Sequence, residues 1–370
     1  MRNFKKIICV FLAISFLTAS LTGVGCSAGE TKHAEFFAFD VPVRVEIRNG
    51  NLTDEITTEI DSELKRLETI FSVEQGGEAA KLSDAEANEK ITVSKDFAAV
   101  LKKINNIFKL TDGKYDPTVF PLVRLWGFYP DYPVSDFAPP SDEEIKNALT
   151  HVGLNKISII SGETDSTVKT DGATQIDFGG VAKGYAADKI AGIIKSHNLG
   201  GGYINLGTSS LRLLKVEYLE VRHPRKDGER ILEIDCGKLT DVSVSTSGNY
   251  ERFYEYNGEK YCHIINPKNG RPANTGVESV TVICNDGALA DGISTALCLC
   301  SPEEYENASS GVTESSSELA DYIKKILKSQ EFEGALIFAA SNDGNKKRLF
   351  TNADEKSYKL FDKDYSIVKI

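Results

Sequence analysis

Hydrophobic and polar positions change period several times along the chain, and each change marks an element. Residues 35–49, EFFAFDVPVRVEIRN, alternate in the manner of a half-buried strand. In 53–71, TDEITTEIDSELKRLETIF, apolar positions recur every three or four residues, which predicts an amphipathic helix with Thr53 or Asp54 as its N-cap. A second helix is predicted from Ser94 to Gly113. The following stretch, KYDPTVFPLVRLWGFYPDYP (114–133), is rich in aromatics and proline and is expected to be irregular, since each proline removes a backbone donor. SDEEIKNALTHVG (141–153) has Ser141 and Glu144 in capping-box spacing and Gly153 as a stop.

Strands are predicted at 156–160, 166–170 and 174–178, then a helix beginning near Gly180. From 203 to 283 the pattern is mostly strand, with helices returning at 288–300 and 316–329 and strands at 334–341 and 348–352. The serine-rich run 307–317 reads as a surface loop. Helices segregated from runs of neighbouring strands define an α+β class with mainly antiparallel sheets and packed helices. No repeat and no linker interrupts residues 35–370, so these are read as a single catalytic unit.

The N-terminus departs from this pattern. Arg2, Lys5 and Lys6 precede the apolar run IICVFLAISFL, and a small-residue stretch follows, the anatomy of an export signal over residues 1–25. Cys26, directly after LTGVG, stands where bacterial lipoproteins carry their lipidated cysteine, with Gly23 in place of the usual leucine-like residue. The expectation is an exported protein, lipid-anchored through Cys26 to the outer face of the cytoplasmic membrane or to a periplasmic membrane face, with 26–34 as a tether. Apart from Cys9 and Cys26, the cysteines are Cys236, Cys262, Cys284, Cys298 and Cys300. Their spacing is not that of a metal site, and their apolar surroundings predict buried thiols with room for one disulfide at most. The net charge of -11 and the lack of a basic stripe argue against nucleic acid as a partner.

Three segments carry candidate chemistry. In DGALADGISTALCLC, Asp291 and Thr295 are four residues apart and project from one helical face, a carboxylate and a hydroxyl suited to a hard cation such as Mg²⁺. Asp286, at the mouth of the same helix, equally suits a cap. In DFGGVAKGYAAD, Gly179 and Gly180 allow a sharp turn into a helix start, where amides attract anions and Lys183 adds a point charge. The spacing is neither that of a P-loop nor that of a dinucleotide fingerprint. Asn205 and Gly207 follow a glycine-flanked strand, and His263 lies between a strand and an Asn-Pro turn, where it can act as a base on a hydroxyl nucleophile or serve structure alone.

Taken in order, TDGKYDPTVFPLVRLWGF, DFGGVAKGYAAD, GGYINLG, VRHP, TSGNYER, HIINPKNGRP and DGALADGISTAL closely resemble the motifs of the ApbE family, the FAD:protein FMN transferases, and the resemblance runs from Phe37 to the C-terminus. It implies a T-fold-like α+β architecture and Mg²⁺-dependent transfer of FMN from FAD to a Thr or Ser hydroxyl of a target flavoprotein, with AMP leaving. Subunits of membrane redox complexes are the implied acceptors. By motif, Asp291 and Thr295 match the metal-ligating Asp and Thr, and Gly180 matches the position whose carbonyl completes that site. Asp177 and Lys183 match FAD-contacting positions, Trp126, Gly127 and Phe128 a pocket-lining segment, and His263 a base. Asn205 and Ile265 are likewise expected to line the FAD site.

The sequence departs from the family pattern at Thr208–Ser210, where a glycine and a carboxylate are missing, at Asn249 and Asn266, which replace aspartates, and at Phe120, which replaces a glycine. These departures keep two alternatives open, an FAD pyrophosphatase yielding FMN and AMP and a non-catalytic FAD-binding lipoprotein.

Overall fold

The computed structural model describes residues 32–74, 76–130, 132–161, 166–309 and 321–370. The signal, Cys26, residues 26–31 of the tether and most of the run 307–317 lie outside these residues. The architecture is α+β, as the pattern predicts. It is organised by a nine-stranded sheet whose strands lie side by side in the order the chain makes them. These are β1 (Lys32–Ala38), β2 (Val41–Ile47), β3 (Gly202–Leu206), β4 (Ser210–Lys215), β5 (Thr240–Gly248), β6 (Val277–Cys284), β7 (Leu336–Asn342), β8 (Lys347–Thr351) and β9 (Tyr365–Lys369). Neighbours are antiparallel throughout except β8 and β9. The alternation read in 35–49 as one strand is two, the β1–β2 hairpin, which turns at Phe39 and Asp40, both at positive φ, and buries Val43, Val45 and Ile47 fully. Each such side chain contributes about 1.5–3 kcal/mol relative to exposure.

On one face lie α1 (Asp54–Phe71), α2 (Lys95–Leu110), α3 (Ala182–Ser196) and α4 (Gly287–Cys298). Thr53 caps α1 by accepting from the Ile56 amide at 3.3 Å, and Ser94 caps α2 by accepting from the Phe97 amide at 3.2 Å. The other face is covered by a three-stranded sheet of Tyr218–Arg222, Arg230–Asp235 and Tyr358–Leu360, which packs Val221, Leu232 and Ile234 onto Val242, Val244 and Phe338. Sandwiched between these layers, β6 is buried at every position, Glu278 included. A third cluster, built on Leu122, Trp126, Phe128, Ile145, Tyr254 and Ile265, forms a separate aromatic wall.

Helix α4 is the centre of the helical layer, and all its residues except Thr295 are buried. Its glycines and alanines make that possible. A β-carbon added to Gly184 of α3 would fall inside the Gly287 carbonyl, and one added to Gly287 would fall inside the Gly184 carbonyl. The two helices therefore touch backbone to backbone. Asp286 is the N-cap of α4, accepting from the Leu289 amide at 3.0 Å and pairing with Lys103 of α2.

Two expectations are corrected. Residues 174–178 run extended but pair with no strand; the Asp177 amide donates instead to the Pro117 carbonyl at 3.0 Å. The stretch after Tyr115 is irregular only in its second half: Pro117 and Pro121 fall in first-turn positions where no amide is needed, so a 3-10 turn (Pro117–Val119) leads into a short helix (Phe120–Leu125), and residues 126–130 and 132–133 are turns, bends and irregular backbone as expected. The five described cysteines are all buried and free, as the reading of buried thiols expects. Burial pushes the Cys236 thiol up to about 11 and the Cys284 thiol up to about 12.

Two alanine substitutions on α3 should have opposite signs. Gly184→Ala forces α3 and α4 apart and should lose about 1–3 kcal/mol or more of stability. Gly192→Ala, where a β-carbon meets nothing within 4 Å, should gain about 0.5–1 kcal/mol. Denaturant unfolding of both variants checks the pair, and a neutral Gly184→Ala would refute the backbone contact.

Candidate active site

The α3–α4 crossing is held by an exchange of carboxylates. Asp291, one turn into α4, accepts from the Gly184 amide at 2.8 Å; Asp188, in α3, accepts from the Gly287 amide at 2.7 Å. Each carboxylate thus satisfies an amide that the first turn of the other helix leaves without an intrahelical partner. The positive ends of both helix dipoles converge here. Asp188 is held in turn by the Ser243 hydroxyl at 2.7 Å and by Arg212, whose guanidinium also meets Asp241. Burial nevertheless pushes the Asp188 carboxyl up to about 6.

Asp291 is 5% exposed, and its other carboxylate oxygen accepts from the Ser210 hydroxyl of β4 at 2.9 Å. Burial raises its pKa, against the Lys183 charge and its hydrogen bonds to serine and amide donors. One turn on, the Thr295 hydroxyl donates to the Asp291 carbonyl at 3.0 Å and lies 3.1 Å from the Ser247 hydroxyl of β5. Thr295 is the one residue of α4 that is not buried.

Asp177, Gly179 and Gly180 form the turn that enters α3. The Asp177 carboxylate accepts from the Gly179 amide at 2.7 Å, and Lys183 Nζ donates to the Gly179 carbonyl at 3.1 Å. Burial raises the Asp177 pKa, with the Gly179 amide and the Lys183 and Arg252 charges opposing it. Lys183 acts electrostatically on Asp177, Asp291 and His263, which places its ammonium among all three. A β-carbon on Gly180 would stand 3.0 Å from both the Tyr115 hydroxyl and its Cε2, so the tyrosine ring lies flush against this backbone.

His263 is positioned by a hairpin. Asn257 and Gly258, both at positive φ, make its turn and set the register that pairs Phe253 with Cys262. The next pair out is Arg252 and His263. The His263 amide donates to the Arg252 carbonyl at 3.0 Å, and Nδ1 lies 3.2 Å from that same oxygen. A carbonyl only accepts, so Nδ1 carries the proton and Nε2 keeps its lone pair. Burial, reinforced by the Arg252 and Lys183 charges, pushes the His263 pKa down to about 4. The ring is therefore neutral at pH 7 in the tautomer a base needs.

Other sequence-predicted residues fall elsewhere. The Trp126 ring is 1% exposed, packed against Phe137 and Tyr261, and its indole donates to the Gly270 carbonyl at 2.8 Å, so it supports the aromatic wall and presents no face to a ligand. Gly127, at φ +73, accepts from the Tyr254 hydroxyl at 2.6 Å. Phe128 packs edge-on to His263, and Ile265 is a core side chain of the same wall. Asn205 is not brought to the site. Its neighbours Ile204 and Leu206 turn into the helix-side core, and its cross-strand partner Leu211 packs on the opposite face.

The departures from the family pattern have local explanations. Ser210 supplies a donor to Asp291. The Asn249 side-chain amide donates to the Val277 carbonyl at 3.2 Å, which a carboxylate cannot do. Asn266 accepts from the Lys268 amide at 2.9 Å, as an aspartate would. Sequence reasoning missed Tyr115, Asp188, Ser210 and Arg252. The Asn-Gly turn was the available signal for Arg252, because hairpin register places it opposite His263.

The donors at the crossing fit Mg²⁺ in kind. Carboxylate, hydroxyl and carbonyl are hard oxygen ligands; no group of three His, Cys, Asp or Glu side chains that could hold a metal ion occurs among the described residues. The Tyr115 hydroxyl, buried and without a hydrogen-bond partner among the described residues, lies beside them.

The antiparallel sheet thus carries a helix crossing with two buried carboxylates, with Lys183 and the neutral His263 nearby. The profile of the ApbE family matches residues 39–314, and the chain belongs to that family. The FAD:protein FMN transferase of Haemophilus influenzae is 28% identical over 308 residues, covering 79% of this chain and 85% of that protein. The FAD:protein FMN transferase of Treponema pallidum is 27% identical over 313 residues, covering 78% and 85%. The crystal structure of the ApbE protein of Thermotoga maritima, 30% identical, superposes with a TM-score of 0.68 over 84% of this chain and 94% of that one.

The pKa shifts predict how the site responds to pH. The folded value of His263 lies below the ordinary one near 6.5, so the unfolded chain binds its proton first. Stability contributed by His263 is present above about pH 6.5 and is lost as pH falls toward about 4. Asp188 has the opposite sign: with a folded value near 6, it adds stability as pH falls from there toward about 4. The two offset in a global melt, so the test must be residue-specific. The His263 ring resonances should titrate near pH 4 by NMR, and a midpoint near 6.5 would show a solvated ring.

Proposed function

We propose that this protein transfers the FMN moiety of FAD to a Thr or Ser hydroxyl of an acceptor flavoprotein and releases AMP. What supports this reading is the buried Asp291 carboxylate at the α3–α4 crossing, with Lys183 within electrostatic reach of Asp177, Asp291 and a neutral His263 whose Nε2 keeps its lone pair. The names of the relatives point to the same chemistry. Asp291, Thr295 and the Gly180 carbonyl would hold Mg²⁺, which when bound supplies Lewis-acid neutralisation of the diphosphate, worth several kcal/mol of barrier.

The chain's own residues do the rest. Lys183 and the α3 N-terminus attract the diphosphate and orient it. Nε2 of His263 takes the proton of the acceptor hydroxyl as its oxygen attacks the FMN-side phosphorus. The bond from that phosphorus to the bridging oxygen breaks, and AMP departs with the electron pair. The low pKa makes His263 available at any pH above about 4 and also makes it a weak base. It therefore hands the proton on readily. The basic, apolar and small-residue succession before Cys26 supports export and lipid anchoring, which would present the site to acceptors at a membrane surface.

Incubation with FAD, Mg²⁺ and an acceptor domain should add the mass of FMN to the acceptor and release AMP. Asp291→Ala should slow labelling roughly 10³-fold, and His263→Ala about 10²–10⁴-fold. Free FMN and AMP formed at full rate without acceptor would instead identify a hydrolase. An Asp291→Ala variant that labels like wild type would refute the metal assignment.

A further inference from the structure

Tyr115 is 5% exposed, yet its hydroxyl has no hydrogen-bond partner among the described residues. An unpaired buried hydroxyl is destabilising and calls for an explanation. Its location supplies one. The ring lies against the Gly180 backbone, and the hydroxyl feels the charges of both Asp177 and Asp291 while bonding to neither. Both carboxylates already accept from other donors: Asp177 from the Gly179 amide, Asp291 from the Gly184 amide and Ser210. The tyrosine backbone is fixed as well, since its amide donates to the Thr111 hydroxyl at 3.2 Å. The hydroxyl is thus a rigidly placed donor aimed into the oxygen-lined site.

Resting on the functional reading above, we propose that Tyr115 is a ligand-binding residue whose hydroxyl donates a hydrogen bond to an oxygen atom held at the crossing. That oxygen belongs either to the water shell of the bound divalent cation or to the diphosphate of FAD. Burial between two carboxylates keeps the phenol protonated, and therefore a donor, throughout the neutral range. The same placement accounts for glycine at 180: any side chain there would press against the hydroxyl and displace it.

Tyr115→Phe removes one oxygen and leaves the ring packing in place, so it separates the two consequences. The ligand-free variant should melt at a temperature equal to or about 1–3 °C above wild type, because an unsatisfied buried group is gone. Its affinity should fall about 10- to 100-fold, the effect of losing one charge-assisted hydrogen bond. Mn²⁺ binding, followed by electron paramagnetic resonance, and FAD binding at saturating Mn²⁺, followed by flavin fluorescence polarisation, give the two arms. Weakening of Mn²⁺ alone assigns the acceptor to the cation's water shell; weakening confined to FAD assigns it to the diphosphate. Unchanged affinity in both arms overturns the proposal, as does a fall in melting temperature, which would mean the hydroxyl is bonded within the fold. Asp291→Ala is the control. Wild-type protein that binds neither probe would refute the functional reading itself, and wild-type binding with an unaffected Tyr115→Phe refutes only this inference.

Discussion

Two glycines set the distance on which everything else depends. With Gly184 and Gly287 in contact, the first turn of each helix comes within hydrogen-bonding reach of a carboxylate on the other, and the Asp291–Gly184 and Asp188–Gly287 bonds lock the crossing from both sides. A wider separation would break both bonds and leave two carboxylates and two amides buried without partners, each a substantial loss. The crossing also aims two helix dipoles at one point. The site is thus a by-product of how α3 and α4 pack, and its geometry is as rigid as that packing.

Electrostatics at the crossing balance narrowly. Burial raises the pKa of Asp177 and Asp291; the amides, serines and Lys183 oppose it. Burial keeps His263 neutral, and Arg252 and the same Lys183 reinforce it. One ammonium therefore favours the charged form of the carboxylates and the uncharged form of the imidazole, which is the combination that cation binding and proton abstraction both require.

Much of this was legible in the sequence wherever a local pattern carries the physics. The strands of the β1–β2 hairpin show as alternation because their two faces meet different environments, though the turn at Phe39 and Asp40 did not show, and the Asp291–Thr295 spacing shows because four residues is about one helical turn. The caps Thr53, Ser94 and Asp286 are local too. What stayed hidden depends on distant partners. Tyr115 reads as one more aromatic in a proline-rich run, and only the fold puts its hydroxyl beside Gly180. Trp126 reads as a ligand wall until Phe137, Tyr261 and the Gly270 carbonyl enclose it. Asn205 lies on a strand whose alternation was visible, but which face meets the helices is a property of the sheet.

The burial of α4 bears on when the site comes into being. Composed largely of glycine, alanine and short polar residues, and covered on nearly every side, this helix has little reason to form before its neighbours exist. Its key carboxylate bonds to partners 81 and 107 residues earlier in the chain, and contacts that distant close late in folding because the entropy of the intervening loops must be overcome first. A nascent or partly folded chain can hold the β1–β2 hairpin and α1 and still lack the cation site altogether. Competence to handle the ligand thus arrives all at once, with the completed fold, and no half-built version of the protein shares it.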